Sequence, residues 1–214
     1  MSVYLPDLAT FVTFTIAVWV LAFTPGPDMT ASIARALSDG KTGGIMVVLG
    51  TSTGLVVHTL LVALGISALI VASPTAFLVL KTGGAAYLVW LAVQAIRHGS
   101  SLSIRRDEGP ARTALTNYLT GFWVNLLNPK VILFFMTFLP QFVTAHDPHV
   151  TGKLIVLGLW AIMMGTPINL VIVLVAERLS AWLQNNRKVL RGIDYTFAGV
   201  FSLFAVRIFM TQGR

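Results

Sequence analysis

Thr24-Pro25-Gly26-Pro27-Asp28 and Asn125-Leu126-Leu127-Asn128-Pro129-Lys130 each set an ionisable residue beside a proline inside a long apolar run. Pro25 cannot donate to the carbonyl of Leu21, nor Pro27 to that of Phe23. Gly26 lets the backbone turn sharply. The upstream half-helix is therefore expected to end in free carbonyls, which attract cations or ammonium groups. The downstream half starts with free N–H groups, which attract carboxylates. A zwitterionic amino acid presents both charges. Asp28 either meets an ammonium, carries a coupled proton, or does no more than cap the downstream half-helix.

In the second stretch Asn125 and Asn128 are three residues apart and share a helix face. Pro129 frees the Asn125 carbonyl. Lys130 lies near the middle of its run. Its side chain reaches about 6 Å, against a half-thickness of roughly 15 Å for the hydrocarbon, so snorkelling alone does not hydrate it. It needs a partner: Asp28, a substrate carboxylate, or a wet cavity. The plain alternative is a structural ion pair with Asp28. A bilayer tolerates irregular backbone only where protein or a water-filled cavity surrounds it. Broken helices in matching places of two halves point to a transporter's substrate site. The expected binding set is thus Asp28, Asn125, Asn128 and Lys130, shaped by Pro25, Gly26, Pro27 and Pro129. Asn169, just after Thr166-Pro167, either lines the same cavity or bonds across helices. His58 is either a satisfied interior residue or, with Asp28, part of a proton path.

The elements that must position these groups follow from composition. The chain has 214 residues, 56% hydrophobic and 11% charged, with a mean hydropathy of +0.81. That is the balance of a polytopic membrane protein and leaves too few charges to coat a soluble helical bundle. Six apolar runs cover roughly 8–36 (interrupted at Pro25), 44–72, 76–96, 117–143, 151–176 and 189–210. Most reach the roughly 20 residues a helix needs to cross the hydrocarbon. They are continuous rather than alternating, which argues against a membrane β-barrel. Met1 to Asp7 lacks Lys and Arg, so the first run is expected to stay as a membrane helix rather than act as a cleaved signal.

The net charge is +7, and most basic residues fall in three links: Arg35 and Lys41; Arg97, Arg105, Arg106 and Arg112; Arg178, Arg187, Lys188 and Arg191. The positive-inside rule puts these links in the cytoplasm and both termini outside. Anionic lipid, not nucleic acid, is the partner they imply. The link at about 97–117 divides a single 1–214 transport domain into halves of about 1–98 and 115–214. Three helices per half make the second half insert upside down, which places Pro25 and Pro129 in equivalent first helices. The fold expected is all-α, six transmembrane helices as two inverted three-helix repeats, the first helix of each half broken at proline.

Other motifs have plainer readings. Gly50-Thr51-Ser52-Thr53-Gly54 matches a hydrolase nucleophile elbow, but that reading needs a strand before it. Inside a helical run the same residues form a small-residue seam for close helix packing. Trp19, Trp90, Trp123, Trp160 and Trp182 read as packing or interfacial anchors. Glu177 to Arg191 reads as an interfacial amphipathic stretch with Trp182 and Leu183 touching lipid. Asp194 reads as a helix-end charge. The chain has no cysteine, so thiolate chemistry is excluded. His58, His98, His146 and His149 are scattered and no carboxylate pair completes a metal site. No cofactor is expected.

The chain resembles the LysE/RhtB amino-acid exporter family of bacteria along essentially its full length. The resemblance rests on Thr24-Pro25-Gly26-Pro27-Asp28-Met29, on Gly50 to Gly54 followed by Val57-His58, on Lys81 with Gly83-Gly84-Ala85-Ala86-Tyr87-Leu88, and on Gly121-Phe122-Trp123-Val124-Asn125-Leu126-Leu127-Asn128-Pro129-Lys130, which continues into Phe134-Phe135 and Phe138-Leu139-Pro140-Gln141-Phe142. It implies an inner-membrane carrier that expels amino acids or close derivatives, driven by the proton gradient. A homodimer stays open. The rival expectations are another small solute or a metal cation on the same fold, an intramembrane hydrolase using Ser52 and His58, and a membrane subunit that transports nothing.

Overall fold

A computed structural model describes residues 4–98, 110–144 and 147–212. The basic residues Arg105 and Arg106, and His146, lie outside the described residues. Within the described residues every regular element is helical. The elements are α1 (Leu8–Phe23), α2 (Pro27–Ser38), α3 (Gly40–Ala72), α4 (Pro74–His98), α5 (Ala114–Leu126), α6 (Pro129–Leu133), α7 (Val150–Leu174), α8 (Ala176–Asn185) and α9 (Arg187–Gln212). Between α6 and α7 run a π-helical turn, Phe134–Phe138, and a 3-10 turn, Leu139–Phe142.

Three helical stretches are apolar and long enough to cross a bilayer alone: Gly40–Ile70, Thr75–Gln94 and Val150–Leu174. Two bent pairs bring the number to five when each is taken as one span. Helix α9 is not among these stretches. The chain is a multi-pass membrane protein, with 4-to-5-turn and longer apolar helices lying side by side.

Both expected breaks are present. Helices α1 and α2 meet at 50°, and α5 meets the α6 segment at 49°. The cause is the same in each: a proline at the first position of the downstream helix, and a preceding residue held extended. Gly26 differs from expectation. Its backbone, at φ −163° and ψ −177°, is one any residue adopts. A Cβ there would meet the Lys130 side chain only at ordinary contact distance, 3.6–3.7 Å, so neither the backbone nor the space demands glycine. Helix α7 runs on through Pro167.

Downstream of α6 the helix does not stay α-helical. Pro140 removes the N–H that would bond the Met136 carbonyl, and the turn just before it widens to the π form. Gly84 of α4 lies against Thr137 of that turn with no room for a side chain.

Helix α3 is central. It packs along α5, α7 and α2, while α4 packs along α9. The α3–α5 seam is the close one. A Cβ on Gly50 would run into the Tyr118 carbonyl oxygen, and a Cβ on Gly121 into that of Val47. Gly54 clears space for Asn125. The Gly50–Gly54 stretch is therefore a packing seam. Ser52 bonds to the Val48 carbonyl and to Thr166, and His58 to the Asn125 carbonyl, so the two do not form a nucleophile–base pair. Cross-helix hydroxyl bonds add fastening: Ser67 to Thr151 at 2.6 Å and Trp160 to Thr15 at 2.9 Å. Each is worth about 0.6 kcal/mol in a membrane.

Four of the tryptophans, Trp19, Trp90, Trp123 and Trp182, are about half exposed on the outer face. Leu183 departs from the expectation that it touches lipid: it is buried in the protein. At the α2–α3 turn a single residue, Asp39, links the helices, and Gly40 takes a left-handed φ of 76° that favours glycine. Asp39 accepts from the Asn117 amide at 2.9 Å and from the Arg112 backbone N–H at 3.2 Å. That ties this turn to the start of α5. In the connection before α7, Lys153 donates to Asp147 and the His149 N–H adds a 2.9 Å bond. These bonds hold the Asp147 carboxyl below the usual carboxylate range.

Replacing Gly121 or Gly50 by valine puts carbons onto a neighbouring backbone that cannot yield. Each should cost at least the roughly 1–3 kcal/mol of core overpacking. Gly65→Ala, into open space, should be neutral. Thermal midpoints of the purified protein in detergent check this. The lowered Asp147 value predicts a stability contribution fully present above the unfolded carboxylate pKa and lost as pH falls through the folded one. Lys153→Met should therefore move the acid-side loss of stability to higher pH, read from melting curves across the acid range.

Candidate functional site

The two breaks face each other, and each supplies what the other lacks. Asp28 stands in the first turn of α2 and makes no capping bond to its own helix. Its carboxylate instead accepts the Asn125 amide N–H at 2.7 Å on one oxygen and the Asn128 amide N–H at 3.0 Å on the other. Asn128 is the N-cap of α6, and its side-chain oxygen accepts the Lys130 backbone N–H at 3.0 Å. That bond fixes the orientation of its amide, so the nitrogen end is the one presented to Asp28.

Lys130 completes the reciprocal half. Its ammonium donates to the Leu21 carbonyl at 2.9 Å and to the Thr24 carbonyl at 2.7 Å. Leu21 is the carbonyl that Pro25 leaves without a helical donor. The lysine thus occupies the cation site at the C-terminal end of α1, where the dipole favours positive charge. Its ammonium is committed to carbonyls and not to a direct ion pair with Asp28. Hydrogen bonds with a charged partner are worth about 1.5–3 kcal/mol each, so these four bonds hold both breaks in one geometry.

His58 of α3 lies behind this pair. One ring nitrogen sits 3.4 Å from the Asn125 carbonyl, which Pro129 cannot reach as a donor and which accepts the Asn128 N–H at 3.0 Å instead, and the ring packs on Phe135 at 5.7 Å. His58, Asn125 and Asp28 therefore form a continuous line of polar contacts. Asn125 keeps its side-chain oxygen buried without a donor, facing the bare Cα of Gly54.

A cavity of about 80 Å³ lies between the breaks. Gly26, Asp28, Asn128, Lys130 and Asn169 line it, with apolar walls from α1, α3, α6 and α7. The volume is enough for several waters. Asn169 reaches the cavity as one of the two expectations has it. Its amide, however, bonds back to Gly165 on its own helix at 3.1 Å rather than across to another. Asn125 and His58 stand behind the lining residues. Pro25, Pro27 and Pro129 shape the backbone and do not face the cavity.

Close to Lys130 the walls are aromatic. The ammonium is 5.8 Å from the Phe197 ring centroid, within cation–π range. Phe197 stacks on Phe201 at 4.5 Å, Phe201 lies 5.6 Å from Phe138, and Phe138 packs on Phe134 and Phe14 at 4.9 and 6.2 Å. These rings form a dry plug beside the cavity, all essentially buried. Asp194, three residues before Phe197, is 1% exposed and its charge acts on Lys130. It is not the helix-end charge the sequence suggested. Its spacing to Phe197 puts both on one face of α9, a signal visible only once that face is known to turn inward. Among the described residues no three His, Asp or Glu converge as metal donors.

The model of the LysE type translocator family matches residues 19–212. A homoserine/homoserine lactone efflux protein of Salmonella typhimurium is 29% identical over 185 residues, covering 86% of this chain and 88% of that protein. An uncharacterized membrane protein of Vibrio cholerae is 32% identical over 154 residues, 72% of this chain and 74% of its own. Another of Pseudomonas aeruginosa is 29% identical over 203 residues, 92% and 94% of the two chains. No solved structure matches.

Lys130→Met should strand two carbonyls in a low-dielectric interior at about 1–3 kcal/mol each. Its thermal midpoint should fall well below that of Asn169→Ala, whose bond is to a neighbouring carbonyl on its own helix. Asn128→Asp, which sets a second carboxylate against Asp28, should destabilise most at neutral pH and recover on acidification, as read from melting curves across pH.

Proposed function

The chain belongs to the LysE type translocator family, and on that premise we propose that it is a bacterial inner-membrane secondary transporter exporting amino acids or close derivatives. The observation that carries this reading is the pairing of Asp28 with Asn125 and Asn128, and of Lys130 with the Leu21 and Thr24 carbonyls, around a shared cavity. Those are the two half-sites a zwitterion needs. The named activity of the Salmonella relative, homoserine and homoserine lactone efflux, points the same way.

In this mechanism Lys130 stands in for the absent substrate. An entering amino acid brings its ammonium to the freed carbonyls and Asp28. Lys130, released from those carbonyls, turns to the substrate carboxylate. Asn125 and Asn128 orient Asp28, and Asn169 and Gly26 bound the pocket. The small cavity describes a closed state, and entry requires the walls to part. The phenylalanine plug closes one exit of the pathway.

The architecture proposed for this motion is six spans as two inverted halves, about 1–98 and 115–214, with α9 as the sixth span and both termini outside. The equal bends at the two breaks support it. So does the packing: α3 lies on α7, α4 lies on α9, α5 lies on α3, and α1 lies on α7. Each half then lends its first helix to the middle helix of the other. Rocking one half against the other exposes the site to alternate sides. Proton antiport is proposed through Asp28, with His58 on its path by way of Asn125. Binding cannot drive net flow unless proton and substrate favour different states.

Uptake of a labelled panel of homoserine, threonine, lysine and other amino acids into everted vesicles tests the reading, with and without a proton gradient. Export should require the gradient. Asp28→Asn and Lys130→Met should lower it at least a hundredfold while the protein still inserts. Normal transport by both variants would overturn the site. Phe138→Ala should keep binding and let substrate leak down its gradient without protons.

A further inference from the structure

A second cavity, of about 440 Å³, opens between the α2–α3 turn and the α7–α8 link. That volume lies within the roughly 300–1,000 Å³ usual for ligand pockets. It sits where two spanning stretches end together, Gly40–Ile70 at its first residue and Val150–Leu174 at its last. It is thus at headgroup depth whichever leaflet that end faces. Ala36, Val173 and Ala176 form a buried apolar floor, and Leu174 and Val175 leave an exposed apolar rim. Lys41, Arg178 and Glu177 line the same cavity. All three are exposed, and none bonds to or pairs with another group among the described residues, unlike the neighbouring Asp39 cluster.

Three uncommitted charges, two positive and one negative, in a half-apolar pocket at the membrane boundary form a recognition pattern. A basic pocket between spans binds an acidic headgroup, but Glu177 would repel a headgroup carrying only negative charge. A headgroup with a phosphodiester and a primary amine satisfies all three. We propose that this pocket binds a phosphatidylethanolamine-type lipid, with its phosphodiester on Lys41 and Arg178, its ammonium on Glu177, and its acyl chains leaving over Leu174 and Val175. The lipid then clasps α2, which carries Asp28, to the end of α7, which carries Asn169.

The full chain, purified in mild detergent, is offered phosphatidylethanolamine, phosphatidylcholine and phosphatidylglycerol at equal concentration. Bound lipid is read by native mass spectrometry and stability by thermal midpoint. The intact protein should retain phosphatidylethanolamine several-fold over the other two, and this lipid alone should raise the midpoint by several degrees. Glu177→Gln should shift the preference to phosphatidylglycerol. Lys41→Gln combined with Arg178→Gln should erase the preference without lowering the lipid-free midpoint. Equal retention of the three lipids by the intact protein would overturn the proposal. So would an unchanged preference in either variant, or stabilisation by soluble glycerophosphoethanolamine as large as by the lipid.

Discussion

The exchange of hydrogen bonds between the two helix breaks is the constraint on which the rest of the structure depends. A break in a lipid-embedded helix frees carbonyls and N–H groups that water cannot reach, at several kcal/mol each if unmet. Here each break is satisfied by the other. Lys130, just after the second break, covers the Leu21 carbonyl left by Pro25 and the Thr24 carbonyl at the break itself, and Asn125 and Asn128 around the second break cover the carboxylate just after the first. Neither break is tolerable alone. Together they hold a cation and an anion close to each other without letting them neutralise directly, which leaves both available to a dipolar guest.

That arrangement dictates the packing around it. Asn125 reaches Asp28 only because α5 comes close to α3, and it comes close because Gly50, Gly54 and Gly121 carry no side chains at the seam. His58 enters the polar line from the same face of α3 as Gly50 and Gly54. Beyond Lys130 the wall turns aromatic, so that the charged pair borders a dry region where electrostatic interactions are strong. The π-helical turn that carries Phe134, Phe135 and Phe138 follows from Pro140; it sets Phe134 and Phe138 between α1 and α9 and turns Phe135 onto His58 of α3. The lipid-facing surface needs no such detail: its half-exposed tryptophans and leucines are ordinary for a helix that meets acyl chains.

Much of the site was legible because proline chemistry is local. Which carbonyls Pro25 and Pro129 free can be counted from the sequence, and so can the presence of an ionisable residue one to three positions later. The same counting located the small-residue seam. Where counting failed, a side chain had a choice of partners. Asp28 could cap its own helix and instead bonds across to the amides. Asn169 could bond across helices and instead folds back on Gly165. Leu183 and Asp194 lie on helix faces whose direction depends on what packs against them, and both turn inward. Gly26 was expected to serve a sharp turn, but its backbone is extended and a Cβ there would meet Lys130 only at ordinary contact distance.

The sequence by itself determined that this is a multi-pass helical membrane protein, where its helices break, and which groups those breaks strand in lipid, because hydrophobic run length and missing amide protons are properties of the chain alone. Only the tertiary structure decided who answers the stranded groups: that Lys130 takes the carbonyls rather than Asp28, that Asp28 takes two amides, and that Phe197 and Asp194 close the far side. Residues a hundred positions apart have no fixed distance until the helices pack. In a low-dielectric interior a shift of one helical turn changes which donor reaches which acceptor.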